Sequence, residues 1–280
     1  MRRVDDEAID THAAIRFRSE YHYAKFEYWR SAKLIAFLDG TGVDLSGRVL
    51  DDGCGGGGMC VSFAEESTSV FGIDLADRFR EAGTTLAQEK DVSGTHFAQA
   101  DATKLPFRDA AFDLVLSHSV IEHVADPASY LHEARRVLRD NGAMFLQTAP
   151  YLSPSGSHLP RLKVPIPLYL LIGRRGTFAF SKWLALHAPH WIDAPPEGSS
   201  FLTNARDGTV KLDDLLYPVT VRNLRDHIRR AGFKVAREDL HISRLARRLF
   251  PEWVIEHVPK VPLVCDILVT NMEYVLTPTR

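Results

Sequence analysis

The chain has 280 residues, 45% apolar and 25% charged, ordinary globular proportions that exclude disordered and fibrous classes. Lys and Arg number 34 against 36 Asp and Glu, a net charge of −2, so a general nucleic-acid binder, which is usually clearly basic, is disfavoured. Three cysteines, Cys54, Cys60 and Cys265, close no disulfide set and show no paired metal spacing, which fits a reducing, cytoplasmic compartment.

Residues 1–17 turn acidic early and lack an apolar stretch, so they do not read as a signal peptide. Within 8–38, Ile15, Tyr23, Phe26, Trp29, Leu34, Phe37 and Leu38 fall at mixed helical spacing. They predict one or two helices ending near Gly40, an N-terminal helical cap over 1–45. The rhythm then changes to short β runs at 48–52, 69–74, 95–101, 112–117 and 143–149. A helix over 128–138 opens on Asp126-Pro127, an N-cap followed by the proline favoured at the first helical position. Short apolar strands alternating with helices argue for a parallel sheet covered on both faces, with its core in 46–150.

From 151 to 217 the pattern breaks. This stretch holds 7 of the 15 prolines and two tryptophans, Trp183 and Trp191. It is too long for a simple connection and too apolar for a disordered linker, and reads as an inserted lid or substrate wall. Its apolar run, 164–173, carries two prolines and is shorter than the roughly 20 residues that a spanning helix needs, so no stable membrane insertion is expected. Phe178, Phe180, Trp183 and Trp191 line an aromatic acceptor pocket or form the insertion's own small core. Alternation resumes over 218–280 and completes the sheet: a helix through Val221, Leu224, Ile228 and Ala231 stopped by Gly232, a strand from Phe233, and a final apolar strand at 261–269.

The strongest signal is Val49-Leu-Asp-Asp-Gly-Cys-Gly-Gly-Gly-Gly. A strand ends there and the chain turns sharply into a helix; glycines allow positive φ and let a ligand approach the backbone. Gly53, Gly55 and Gly58 also satisfy a dinucleotide fingerprint. Asp51 and Asp52, however, would repel a pyrophosphate and suit a ligand with a cationic group. Asp74 ends the second strand, where a carboxylate can accept both hydroxyls of a ribose. Asp101 ends the third, where it can accept from an adenine amino group. Three acids at adjacent strand ends beside a glycine turn describe a crevice for an adenosine with a positive tail.

These segments resemble the class I S-adenosylmethionine-dependent methyltransferases of the small-molecule type. Val49-Leu-Asp-Asp-Gly-Cys-Gly-Gly-Gly is similar to their D-x-G-x-G-x-G motif, Phe71-Gly-Ile-Asp-Leu-Ala to the ribose segment, and Phe97-Ala-Gln-Ala-Asp-Ala to the adenine segment. Phe112-Asp-Leu-Val-Leu-Ser-His-Ser-Val-Ile-Glu-His-Val and Glu133-Ala-Arg-Arg-Val-Leu-Arg-Asp-Asn-Gly follow in order. Asp52 departs from the pattern, where an apolar residue is usual; it weakens cofactor affinity or points to solvent.

The resemblance implies an α/β, Rossmann-like, seven-stranded, mostly parallel sheet with the last strand antiparallel. It implies S-adenosyl-L-methionine as cofactor and S-adenosyl-L-homocysteine as product. It places Asp51, Gly53, Gly55 and Gly57 near the methionine part, Asp74 on the ribose, and Asp101 and Ala102 at the adenine, with Cys54 and Leu75 also among the cofactor-binding residues. Ser117 and His118 would face the methyl group, and Tyr23, Lys25 and Tyr28 of the cap could close over the cofactor.

Methyl transfer is an in-line displacement, so the protein mainly aligns the nucleophile and excludes water. An alcohol nucleophile must also lose a proton, which a histidine can accept. His118, His158 and His123 are the candidates, and they lean the reading toward O-methylation of a small acceptor such as a sugar-containing or secondary metabolite. His187 and His190 with Asp193 are metal ligands by type, but Pro189 breaks their spacing, and no metal is expected. N- or C-methylation, an NAD(P)-dependent oxidoreductase and a non-catalytic cofactor-binding module stay open, as does a homodimer. No Tyr-x-x-x-Lys dyad follows the fourth strand, as the oxidoreductase would need, and no nucleic-acid partner is expected.

Overall fold

The computed structural model describes residues 4–164, 168–193, 200–212 and 216–279. Helix α1 (Asp6–Ile15) is capped by Asp5, whose carboxylate accepts from the Ala8 N–H, and α2 (Glu20–Gly40) by Ser19, which accepts from His22. There follow β1 (Arg48–Asp52), α3 (Gly58–Phe63), β2 (Ser69–Asp74), α4 (Phe79–Glu89), β3 (Thr95–Gln99), β4 (Phe112–His118), α5 (Pro127–Val137) and β5 (Leu138–Thr148). Then come α6 (Tyr169–His187), α7 (Ser200–Arg206), α8 (Val221–Arg230), β6 (Phe233–Ile242), α9 (Arg244–Leu249), α10 (Glu252–Ile255), α11 (Pro262–Leu268) and β7 (Val269–Pro278).

The strands form one seven-stranded sheet in the order β3-β2-β1-β4-β5-β7-β6. The pairs β1·β2, β1·β4, β2·β3 and β4·β5 are parallel. Parallel pairing puts Asp52, Asp74, Gln99 and His118, the last residues of β1 to β4, on one edge, where open α/β sheets bind ligands. Val49, Leu114, Leu116 and Phe145 of the sheet are buried with Ile35 and Leu38 of α2 and Phe63 of α3. Tyr28 of α2 packs with Val61, Ala82 and Leu86 of α3 and α4. This apolar contact fixes the cap helix over the glycine turn.

The chain divides into two compact units. The first comprises 1–147, 225–238 and 273–280, and the second 148–224 and 239–272. The 151–217 insertion is thus only part of the second unit; 148–150 and, from the segment expected to complete the core sheet, 218–224 and 239–272 supply the rest.

The strand expected at 261–269 is a helix. Pro262 occupies its first turn and the Cys265 N–H donates to the Val261 carbonyl at 2.8 Å. A short apolar run does not by itself separate strand from helix, and here the N-terminal proline decided. Within the second unit Leu184, Ala185, Ile192 and Ala205 form a small core of their own, with Phe201 against it. Phe178 meets Phe201 edge-on, whereas Phe180, Trp183 and Trp191 are exposed. Those three therefore do not form the insertion's core. Of the apolar run 164–173, residues 165–167 lie outside the described residues, and 169–173 open α6 up to a break at Gly173, with φ +72°. Among the described residues no helix is long and apolar enough to cross a membrane.

Candidate active site

The turn after β1 is held by two hydrogen bonds to the end of β2: the Gly53 and Cys54 N–H groups both donate to the Ile73 carbonyl, at 2.9 and 2.8 Å. Gly53 has φ +90°, and a Cβ there would lie 2.3 Å from a Val120 methyl, so only glycine fits. At Gly55, with φ +53°, a Cβ would meet nothing nearer than the Arg78 guanidinium at 4.0 Å. Its surface is open to a ligand, and its N–H donates to Asp74 Oδ2 at 2.9 Å.

A cleft of about 440 Å³ opens over this turn, a size ordinary for small-molecule sites. Gly53, Gly55 and Gly56 line it together with Tyr23, Glu27 and Arg30 of α2, and His118 at the end of β4. Arg30 ties the two sides together: its guanidinium lies 3.4 Å from Glu27 Oε1 and 3.4 Å from His118 Nδ1. Arginine only donates, so His118 Nδ1 accepts and the proton sits on Nε2. Burial, with the Arg30 charge adding, pushes the His118 imidazole down to about 3. It is neutral at any ordinary pH and is a poor proton acceptor.

Glu27 behaves in the opposite way. Its side chain is 12% exposed, and Oε2 is buried without a hydrogen-bond partner among the described residues. Burial raises its carboxyl to about 7, Arg30 opposing and Asp51 adding. Asp51, buried beneath the turn, is raised to about 7 by burial, against a hydrogen bond from the Cys60 thiol at 3.2 Å. Asp52 does not point to solvent: it is fully buried, and burial followed by the Asp51 charge holds it well above the usual carboxylate range. The apolar residue usual here is thus replaced by a buried acid whose surroundings favour its protonated form.

The remaining expected residues fall in several places. Gly57 caps α3 with φ +80°, and a Cβ there would lie 2.7 Å from the Phe97 ring. Cys54 has its side chain buried and contributes backbone to the turn. Asp74 stands beside the turn with Arg78 at 3.9 Å, and Leu75 next to it is 70% exposed. Asp101 lies beyond β3, which ends at Gln99, and its carboxylate accepts from the Thr103 N–H and hydroxyl at 2.8 and 2.7 Å. Those bonds hold it below the usual carboxylate range. Ala102 is half-buried beside it.

Ser117 does not reach the cleft: it is buried and accepts from the Tyr130 hydroxyl at 2.6 Å. Alternation along β4 explains this, since Ser117 and His118 face opposite sides of the sheet. His123 is exposed on the 3₁₀ turn Ile121–His123 and is absent from the cleft wall. His158 belongs to the second unit, exposed, with φ +50°. Of the cap residues, Tyr23 lines the cleft, Lys25 pairs with Glu89 at 3.0 Å, and Tyr28 is buried with its hydroxyl donating to Glu65. Glu20, Glu27 and Arg30 went unread in the sequence, although with Tyr23 they sit at i, i+3, i+7 and i+10 of one helix. That polar stripe was a legible signal for one cleft-facing side.

A parallel sheet whose carboxyl edge carries a glycine turn above buried carboxylates defines a nucleoside-type cleft of the doubly wound α/β class. Residues 50–146 match the family described as a methyltransferase domain. Over these residues the chain is similar to a methyltransferase domain, in line with the motifs.

An uncharacterised methyltransferase of Bacillus subtilis is 32% identical over 42% of this chain and 49% of its own length. A ubiquinone biosynthesis O-methyltransferase of Paracidovorax citrulli is 35% identical over 41% of this chain and 48% of its own. The chain thus matches about half the length of these two relatives. An uncharacterised methyltransferase of Mycobacteroides abscessus is 28% identical over 85% of this chain and 79% of its own. The crystal structure of an S-adenosylmethionine-dependent methyltransferase from Mesorhizobium loti superposes with a TM-score of 0.52 at 19% identity, covering 86% of this chain and 95% of that one; it shares the fold.

The cleft fits the cofactor of this class. That molecule carries two cationic groups and one carboxylate. The wall offers Glu20 and Glu27 to the cations and Arg16, Arg30 and Arg78 to the carboxylate, and the orphaned Glu27 oxygen has no other partner among the described residues.

Proposed function

We propose that the protein methylates an oxygen of a small-molecule acceptor, with Glu27 as the group that takes the acceptor's proton. The single observation behind this reading is Glu27 itself: a carboxylate on the cleft wall, nearly buried, one oxygen unpartnered, and poised near neutrality. A proton acceptor works best when its pKa lies near the working pH.

S-adenosylmethionine, when bound, supplies a methyl group already activated on a sulfonium. Gly53, Gly55 and Asp51 would hold its methionine part, Asp74 and Leu75 the ribose, Asp101 and Ala102 the adenine. A cation in the cleft favours the ionised form of Glu27, and removal of that charge restores its preference for a proton. Glu27 is therefore a carboxylate before transfer and a proton acceptor as transfer completes. His118, held neutral with Nε2–H outward from Arg30, would donate a hydrogen bond and orient the acceptor. This moves the proton-accepting role from the three histidines to Glu27. The O-methyltransferase name of the Paracidovorax citrulli relative supports oxygen as the target.

The experiment supplies methyl-labelled S-adenosylmethionine with a panel of phenols, catechols and glycosides, and compares the natural protein with Glu27→Gln. Transfer to an oxygen that falls in the variant even at saturating cofactor sustains the reading; undiminished transfer rejects Glu27. Thermal shift with S-adenosylmethionine against NAD excludes the oxidoreductase alternative if only the former stabilises.

A further inference from the structure

We propose that the second unit carries a binding site for the apolar chain of a neutral amphiphile, a long-chain alcohol or phenol. The unit contains a pocket of about 520 Å³, well within the range of small-molecule sites. Its wall is mainly apolar: Leu159, Leu162 and Leu168 on one stretch, Phe250, Ile267 and Leu268 on another. The wall is built rather than incidental. An antiparallel bridge between Leu162 and Ile192 anchors one side, with the Lys163 N–H donating to Trp191 and the Asp193 N–H to Arg161, both at 2.8 Å.

The polar groups on the wall set the chemistry of the ligand. Ser157 donates its hydroxyl to the Pro154 carbonyl at 3.1 Å, Tyr169 to Leu152 at 2.7 Å, and Ser243 accepts from the Ala246 N–H at 3.1 Å. Thr177 is different: it is 3% exposed, and its hydroxyl is buried with no hydrogen-bond partner among the described residues. An unpaired buried hydroxyl costs about 1–3 kcal/mol, and Thr177 lines this wall, so a ligand oxygen that reaches the hydroxyl relieves the deficit. Arg161 and Asp193 bring one charge of each sign to the wall, which favours neither an anion nor a cation. Leu249, 67% exposed, and Phe250, 44% exposed, stand on the same wall and prolong its apolar surface to solvent.

The test measures binding only, so its result is separate from the outcome of the methyl-transfer reading. The full chain is titrated with straight-chain primary alcohols from octanol to hexadecanol, displacing anilinonaphthalene sulfonate. The expected result is one saturable site whose affinity rises about fourfold per added methylene until the pocket fills. Thr177→Val, which keeps the shape, is expected to weaken alcohols about fivefold and to leave the matching alkyl chlorides unchanged. Ala246→Phe, which fills the pocket, is expected to abolish binding; if that variant does not fold, Thr177→Val decides. Affinity independent of chain length, equal effects of Thr177→Val on alcohols and chlorides, or a concentration-dependent dimer that alcohols do not disturb would each overturn the proposal.

Discussion

The two units treat their large apolar side chains differently. Among the described residues of the first, only Phe17, Leu75 and Val235 stand out as strongly exposed large hydrophobics. In the second there are thirteen, including Leu171, Trp183, Leu249, Trp253 and Leu263. Along α6 the usual arrangement is partly reversed: Thr177 and Ser181 are buried while Phe180, Trp183 and Leu186 face solvent. The sheet with its helices closes an extended core, whereas the second unit, assembled from two chain segments, closes a small one and leaves more large apolar side chains exposed. The first unit gathers positive-φ glycines and buried carboxyls at a turn, and the second leaves apolar surface available for contact. Function in the one should therefore be electrostatic and in the other a matter of shape and apolar area.

The contrast breaks most sharply at Glu27. Glu27→Gln should lower kcat by about a hundredfold to ten-thousandfold, the usual contribution of a positioned proton acceptor; steady-state kinetics with a saturating cofactor measures it. Gly53→Ala should come next, through stability. A methyl forced against Val120 in a left-handed turn costs about 3 kcal/mol by overpacking and backbone strain, read as a drop in Tm of roughly 6–12 °C. An unchanged Tm would mean the turn is built otherwise.

A third effect is linked to pH. Glu27 and Asp51 are both raised to about 7 in the folded protein, above their unfolded values. Raised acids favour folding while protonated, so the stability they lend is present below about pH 4 and lost as pH rises through about 7. The cofactor-free protein should melt lower at pH 8 than at pH 5. A cationic cofactor favours the ionised acids, so its Kd should fall by up to about tenfold per pH unit over the same window, more than that of its uncharged-sulfur product. Calorimetry in two buffers of different ionisation enthalpy counts the protons released; none released would refute the linkage. His118→Asn, by contrast, should leave the pH profile between 5 and 9 in place, because the imidazole stays neutral throughout. The smallest effect is expected in the second unit: Trp183→Gln, at a site 52% exposed, should move stability by no more than about 0.5 kcal/mol.

Residues 48–52, 69–74 and 126–137 were readable because local rules agree there: apolar runs end in glycine or acid, and an N-cap precedes a proline. The glycine turn and the acids Asp51 and Asp74 followed from the same logic, since a strand end and a positive φ are local matters. The region 261–269 was misread because its apolar run is compatible with either period, and only packing around Cys265 and Asp266, with Asp266 accepting from the Val221 N–H at 2.7 Å, makes the helical choice visible.

The sequence by itself determined the first strands of the sheet, the turn and the cofactor class, because each rests on residues adjacent in the chain. Tertiary structure decided which groups are charged. Glu27 lies far from Asp51 and His118 in sequence, and burial against the turn, together with Arg30, leaves a carboxyl near 7 and an imidazole near 3 on the wall of one cleft. The same holds for the unpartnered Thr177 hydroxyl. Desolvation depends on everything that surrounds a group, and no stretch of chain carries that information alone.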